Sequence, residues 1–196
     1  PQITLPIGIS FFTFQAISYV VDVYRGEAAQ KSLWDVMLYI AFFPQLIAGP
    51  IVRYSDFADQ IHNRQESLQN WYKGGYRFAI GLGKKVILSN NLAYVADAAF
   101  SSVGNLSFSM AWIGAVGYSL QLYFDFSGYS DMAIGLGQMF GFHFLENFNY
   151  PFISRSITEL WRRWHISLGS WFRDYVYIPL GGSRVAAKRR LYFNIF

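Results

Sequence analysis

Cysteine is absent from the sequence, which removes disulfides, thiolate metal ligands and cysteine nucleophiles from its chemistry. Charge is scarce as well: Asp, Glu, Lys and Arg make up 14% of the residues, against about 25% in soluble domains. No G-x-S-x-G elbow, no Walker A loop and no histidine pair at i,i+4 occurs, so serine-hydrolase, P-loop and zincin chemistry have no foothold. The net charge of +4 is scattered among apolar stretches, a pattern that does not build a nucleic-acid face. Anionic lipid headgroups are its expected counter-charge.

What is present is apolar and aromatic: 53% of the residues are hydrophobic and 20% are Phe, Trp or Tyr. Nothing charged occurs from Pro1 to Val21, from Val36 to Val52, or from Ala98 to Phe124. Each stretch is about the length that crosses roughly 30 Å of hydrocarbon as a helix. The expected architecture is an all-α, polytopic transmembrane bundle. Spans are expected over Leu5 to Tyr24, with Pro6 near the start, over Trp34 to about Ile47, over Ser107 to Phe124, and over Ser127 to Gly141. A turn is expected near Gly104 and Asn105, and Pro44 with Gly49-Pro50 predicts a break near Ala48. Trp71 to Tyr94 reads as an interfacial amphipathic helix running into a short buried one. Gly114, Gly117, Gly128, Gly135, Gly137 and Gly141 suit close helix packing. Gly81 to Lys84 reads the same way, with Lys84 and Lys85 at the interface. The chain opens without Met and stops in the apolar run Leu191 to Phe196, so residues 1–196 are expected to be an internal segment of one longer domain.

Chemistry is densest from Ser154 to Gly182. Ser156 followed by Glu159 matches a capping box and predicts a helix from Ile157. Carried forward at 100° per residue, Ile157, Trp161, Trp164, His165, Leu168 and Phe172 share one face, and Glu159 and Arg163 stand at ion-pair spacing. His165 on an aromatic face would be desolvated and neutral, as a general base for a hydroxyl must be. The alternative, a core histidine bonded to a backbone carbonyl, is the commoner outcome of that spacing. Asp125 and Asp131 at a helix junction either line a polar interior or cap and pack. Arg162, Arg173 and Asp174 either grip a phosphate or carboxylate or order a loop. Arg184, Lys188, Arg189 and Arg190 suit headgroups and a cytoplasmic loop. His62 is expected in solvent and His143 at an interface.

Four segments, LPIGISFFTFQAISYVVDVYRG (Leu5 to Gly26), FFPQLIAGPIVRY (Phe42 to Tyr54), FDFSGYSDMAIGLGQMFGF (Phe124 to Phe142) and ELWRRWHISLGSWFRDYVYIPLGG (Glu159 to Gly182), carry a resemblance. They are similar to signature segments of the membrane-bound O-acyltransferase family, in the bacterial branch that includes the alginate O-acetyltransferase membrane subunit. The resemblance implies a ring of helices around a tunnel in the bacterial inner membrane. His165 would be the catalytic residue facing that tunnel, with Trp161, Arg162, Trp164, Asp125, Asp131, Arg173 and Asp174 as tunnel-lining or substrate-binding candidates. No bound cofactor or metal is implied; the acyl donor, acetyl-CoA or another acyl thioester, is a substrate. The acceptor would be an exported polysaccharide such as alginate, and the partner an extracytoplasmic acetyltransferase or polysaccharide-export protein. A second family histidine, in a Gly-Leu-Trp-His-Gly type segment, would lie beyond Phe196, so isolated activity is not expected. A transporter or channel subunit with broken helices, or a structural scaffold, is the rival reading.

Overall fold

The computed structural model describes residues 8–46, 49–101, 104 and 106–184. Among these residues the regular elements are all helical, and an isolated bridge between Phe148 and Trp164 is the only sheet-like pairing. None of these helices is long and apolar enough to cross a membrane. The chain divides into two compact units: Gln65–Phe144 is one, and the chain up to Arg64 joined with the chain from Leu145 onward is the other.

In the contiguous unit, helix α4 (Leu68–Gly83) runs through a π-turn (Lys84–Ser89) into α5 (Asn90–Ser101), and α6 (Phe108–Met139) packs against both. Serine hydroxyls cap two of these helices, Ser67 accepting from the Asn70 amide and Ser107 from the Met110 amide, which satisfies amides the first turn leaves open. The predicted junction between Phe124 and Ser127 does not exist: both expected spans are parts of the single 32-residue α6. The helix can run through its two carboxylates because basic side chains meet them. Asp131 receives the Arg77 guanidinium at 2.8 Å and the Lys84 ammonium at 2.6 Å, and Asp125 pairs with Lys85. Lys84 and Lys85, read as interfacial, are therefore committed to carboxylates of α6.

The close approach of α4 and α6 depends on glycine. Gly74 faces Gly135 and Gly81 faces Gly128, both pairs seven residues apart on antiparallel helices. A Cβ added at Gly81 would stand 2.5 Å from the Gly128 carbonyl oxygen and 2.8 Å from the Met132 nitrogen. Both are backbone atoms, which cannot rotate away. Gly81→Val is expected to destabilise the folded state by about 3 kcal/mol or more, above the usual overpacking loss. Thermal melting of the detergent-solubilised protein measures this, and a wild-type midpoint would refute the close packing.

The other unit holds α1 (Ile9–Tyr24), α2 (Leu33–Ala41) and α3 (Tyr54–Asn63), together with α7 (Ile157–Arg163), α8 (Ile166–Phe172) and a π-turn (Arg173–Tyr177). Helix α2 stops at Ala41, earlier than the break expected near Ala48; Ile47 and Ala48, like Pro6 and Asn105, lie outside the described residues. Pro44 enforces the early stop, since it has no amide to donate to the helix ladder. The turn Phe43–Gln45 follows, and Gln45 Nε2 donates to the freed Tyr39 carbonyl at 2.6 Å. Tyr39, Tyr54 and Phe57 form the aromatic core here, with Tyr19 edge-on to Tyr54. Helix α1 is inside out: its buried residues are Gln15, Ser18 and Asp22, while Ile17 and Val20 are exposed.

Candidate active site

The capping box forms, but differently from its sequence pattern. Ser156 Oγ accepts from the Glu159 amide at 3.1 Å, while Glu159 Oε2 accepts from the Arg155 amide instead of the cap's own. The Glu159–Arg163 ion pair forms at 2.9 Å.

The helix beyond it does not continue. It ends at Arg163, and His165 adopts a left-handed backbone (φ +46°) as the residue preceding α8. The common aromatic face expected from Ile157 to Phe172 is therefore lost, with Ile157 and Trp161 exposed. Competition for backbone hydrogen bonds accounts for the break. Residues 147–149 lie against it, so that the Asn149 amide donates to the Arg163 carbonyl and the Ile166 amide to the Asn147 carbonyl. Asn147 Oδ1 then accepts from both the amide and the hydroxyl of Ser167. Trp164 leaves the helix to pack edge-on against Phe148, at 5.1 Å between centroids. His165 thus sits at a chain corner, half-buried, and burial pushes its imidazole down to about 4, leaving it neutral at pH 7. Helices α7 and α8, seven residues each, are too short to cross a bilayer.

On the outer side of this corner, Thr158, Trp161, Arg162, Ile166, Gly169, Ser170 and Arg173 line a cavity of about 540 Å³. Trp161, Arg162 and Arg173 are thereby brought together, while Trp164 and His165 do not line it. Asp174 is not among the lining residues. It takes Arg53 at 2.8 Å and Arg173 at 2.7 Å, and the hydrogen bond from Arg173 holds its carboxyl below the usual range. Asp125 and Asp131 belong to the contiguous unit and its ion pairs. His62 is exposed and lies 3.2 Å from Asp35, and His143 is exposed. Lys188, Arg189 and Arg190 fall outside the described residues, and Arg184 lies in a short turn.

Behind the corner lies a polar seam that the sequence reading missed. Ser18 Oγ accepts from the Trp171 indole at 2.8 Å, and Asp22 accepts from the Tyr175 hydroxyl at 2.7 Å and the Ser55 amide at 3.2 Å. Burial, then the bond to Asp22, raises the Tyr175 hydroxyl above its ordinary value. Arg25 stacks over the Tyr175 ring and donates to the Asp174 carbonyl. The findable signal was Asp22 itself, a lone acid in an apolar helix with Gln15 and Ser18 on its face.

The family model for the membrane-bound O-acyltransferases matches residues 9–195. The chain belongs to the membrane-bound O-acyltransferase family. Among relatives in that family, it is 55% identical over 196 residues to the probable alginate O-acetylase AlgI of Pseudomonas syringae pv. tomato, covering 100% of this chain and 38% of the relative. It is 40% identical over 212 residues to the peptidoglycan O-acetyltransferase of Helicobacter pylori, covering 94% and 40% of the two chains. With the teichoic acid D-alanyltransferase of Bacillus subtilis it shares 33% over 178 residues, covering 88% and 45%. The chain spans about two fifths of the length of these membrane-bound O-acyltransferase relatives.

Proposed function

We propose that this chain is part of a multi-pass membrane O-acyltransferase of the bacterial inner membrane that transfers an acetyl group toward an exported polysaccharide such as alginate. The observation that carries this reading is the 55% identity, over the whole chain, to a probable alginate O-acetylase. The inverted polarity of α1 supports the membrane setting, since a helix with polar residues inside and apolar ones outside suits hydrocarbon surroundings. The rival transporter reading drew on intramembrane carboxylates, and the pairing of Asp131 and Asp125 with basic side chains weakens that support.

In this reading His165 takes the proton of the acceptor or relay hydroxyl as its oxygen attacks the acyl carbonyl carbon. The new C–O bond forms as the C–S bond of an acyl thioester, such as acetyl-CoA, breaks. The thiolate leaves and the imidazolium returns the proton to sulfur, restoring the neutral base. Arg162 and Arg173 grip an anionic group of the donor beside the Trp161 indole, with Arg173 held in place by Asp174. An extracytoplasmic acetyltransferase or polysaccharide-export protein receives the acetyl group.

The reading is tested with the complete protein in vesicles, supplied with acetyl-CoA and a hydroxyl-bearing polysaccharide. A base depressed to about 4 is unprotonated above that value and protonated below it. The kcat/KM should therefore stay level from pH 8 to about 5.5 and fall about tenfold per unit only below about 4. Absence of acetyl transfer sinks the function, and an acid limb near 6.5 sinks the desolvated base.

A further inference from the structure

Three carboxamides lie almost wholly buried in the unit that contains His165: Gln15 (1% exposed), Gln45 (0%) and Asn147 (1%). Two short sets of hydrogen bonds, joined through the consecutive residues Ile51 and Val52, run past them. The Tyr39 hydroxyl donates to the Gln15 backbone carbonyl at 3.4 Å and to the Val52 carbonyl at 2.9 Å, and the Tyr39 carbonyl accepts from Gln45. The neighbouring Ile51 amide donates to Ser167 Oγ at 3.0 Å, and that hydroxyl donates to Asn147 Oδ1 at 2.9 Å. No charged side chain takes part in these bonds.

Each carboxamide nevertheless keeps a buried polar atom without a hydrogen-bond partner: both side-chain atoms of Gln15, Oε1 of Gln45 and Nδ2 of Asn147. Two of the orientations are forced. Asn147 must present its oxygen to the Ser167 amide, which can only donate, so its NH₂ is the end left over. Gln45 must present its NH₂ to the Tyr39 carbonyl, leaving its oxygen. Burying four such atoms in one unit is costly, because each forfeits its bond to water. Unsatisfied neutral donors and acceptors suit an uncharged polar group such as a carbonyl or hydroxyl. The cluster also adjoins the corner: Asn147 holds the amides of Ile166 and Ser167, the two residues after His165.

We propose that Gln15 and Asn147 are the groups that hold the carbonyl oxygen of the acyl group, donating through Gln15 Nε2 and Asn147 Nδ2. This rests on the acyltransferase reading above. Charge gathers on that oxygen as the hydroxyl adds, so both bonds strengthen in the transition state and should act on kcat more than on KM.

The test uses the complete protein in vesicles with acetyl-CoA. Gln15→Leu removes both polar atoms with little change of shape, and Asn147→Asp keeps the oxygen that holds Ser167 while replacing the NH₂ donor. Each is expected to lower kcat by roughly 10- to 100-fold, the range for a bond to a charged group, with KM for acetyl-CoA within about threefold. The melting midpoint of Gln15→Leu should equal or exceed that of wild type, because an unsatisfied polar group has been removed. Full turnover in Gln15→Leu overturns the inference and leaves the acyltransferase reading standing. So does a loss of turnover in both variants matched by a lower melting midpoint, which marks a structural role. A wild-type protein without acetyl transfer overturns both.

Discussion

Replacing His165 in the complete protein is expected to lower acetyl transfer by about 10² to 10⁴-fold, the usual worth of general base catalysis. The choice of substitute matters because His165 occupies a left-handed backbone conformation. His165 already carries the Cβ penalty of that conformation, about 1–2 kcal/mol, and alanine, which adopts it less readily than histidine, adds only part of that again. Asparagine tolerates that conformation and can orient a hydroxyl, but it cannot take a proton. His165→Asn should therefore keep wild-type membrane insertion and melting behaviour. If proton transfer is the role, both variants lose transfer alike; if orientation dominates, Asn retains more. Labelled acetyl appearing on the acceptor measures both, and near-complete O-acetylation by His165→Ala would return the histidine to the core-residue reading.

The second large effect falls on stability. Asp131→Ala strips the partner from Arg77 and Lys84 on the packed face between α4 and α6, where the carboxylate side chain is 15% exposed. Breaking a buried ion group by removing one member costs about 3–5 kcal/mol, and partial exposure places this case near 3. The variant should melt lower in detergent and accumulate less in the membrane. Replacing the whole group by apolar side chains, with Arg77→Met, Lys84→Met and Asp131→Leu together, should recover most of the loss. Wild-type melting by Asp131→Ala alone would show that the ion pairs are incidental.

Local patterns were legible wherever a short-range interaction decides the outcome. Ser156 and Glu159 marked the start of α7, Glu159 and Arg163 paired, and the glycines of α6 served packing. The sequence misled where a distant segment competes. Periodicity carried α7 through His165, because nothing local announces that residues 147–149 will take the backbone groups of 163–166. It split α6 at Asp125, because the basic residues that let the helix continue lie 40 and more positions earlier. Of the candidate site, Trp161, Arg162 and Arg173 were named through the family resemblance, and they line one cavity. Asn147, Gln15 and Asp22 were not singled out, since their roles depend on the packing of α1 and α8, which periodicity within one helix cannot supply.

The seam between α1 and the stretch formed by α8 and its π-turn also sets a timetable. Ser18 meets Trp171 and Asp22 meets Tyr175, each across 153 residues of chain. At a synthesis rate of about 5–20 residues per second, α1 waits roughly 8 to 30 s for the side chains that satisfy its polar face. The unit Gln65–Phe144 is contiguous and needs no such delay. During that interval an acid and a glutamine stand uncovered on an otherwise apolar helix, so the nascent chain depends on temporary shelter for α1 until its C-terminal partner is made.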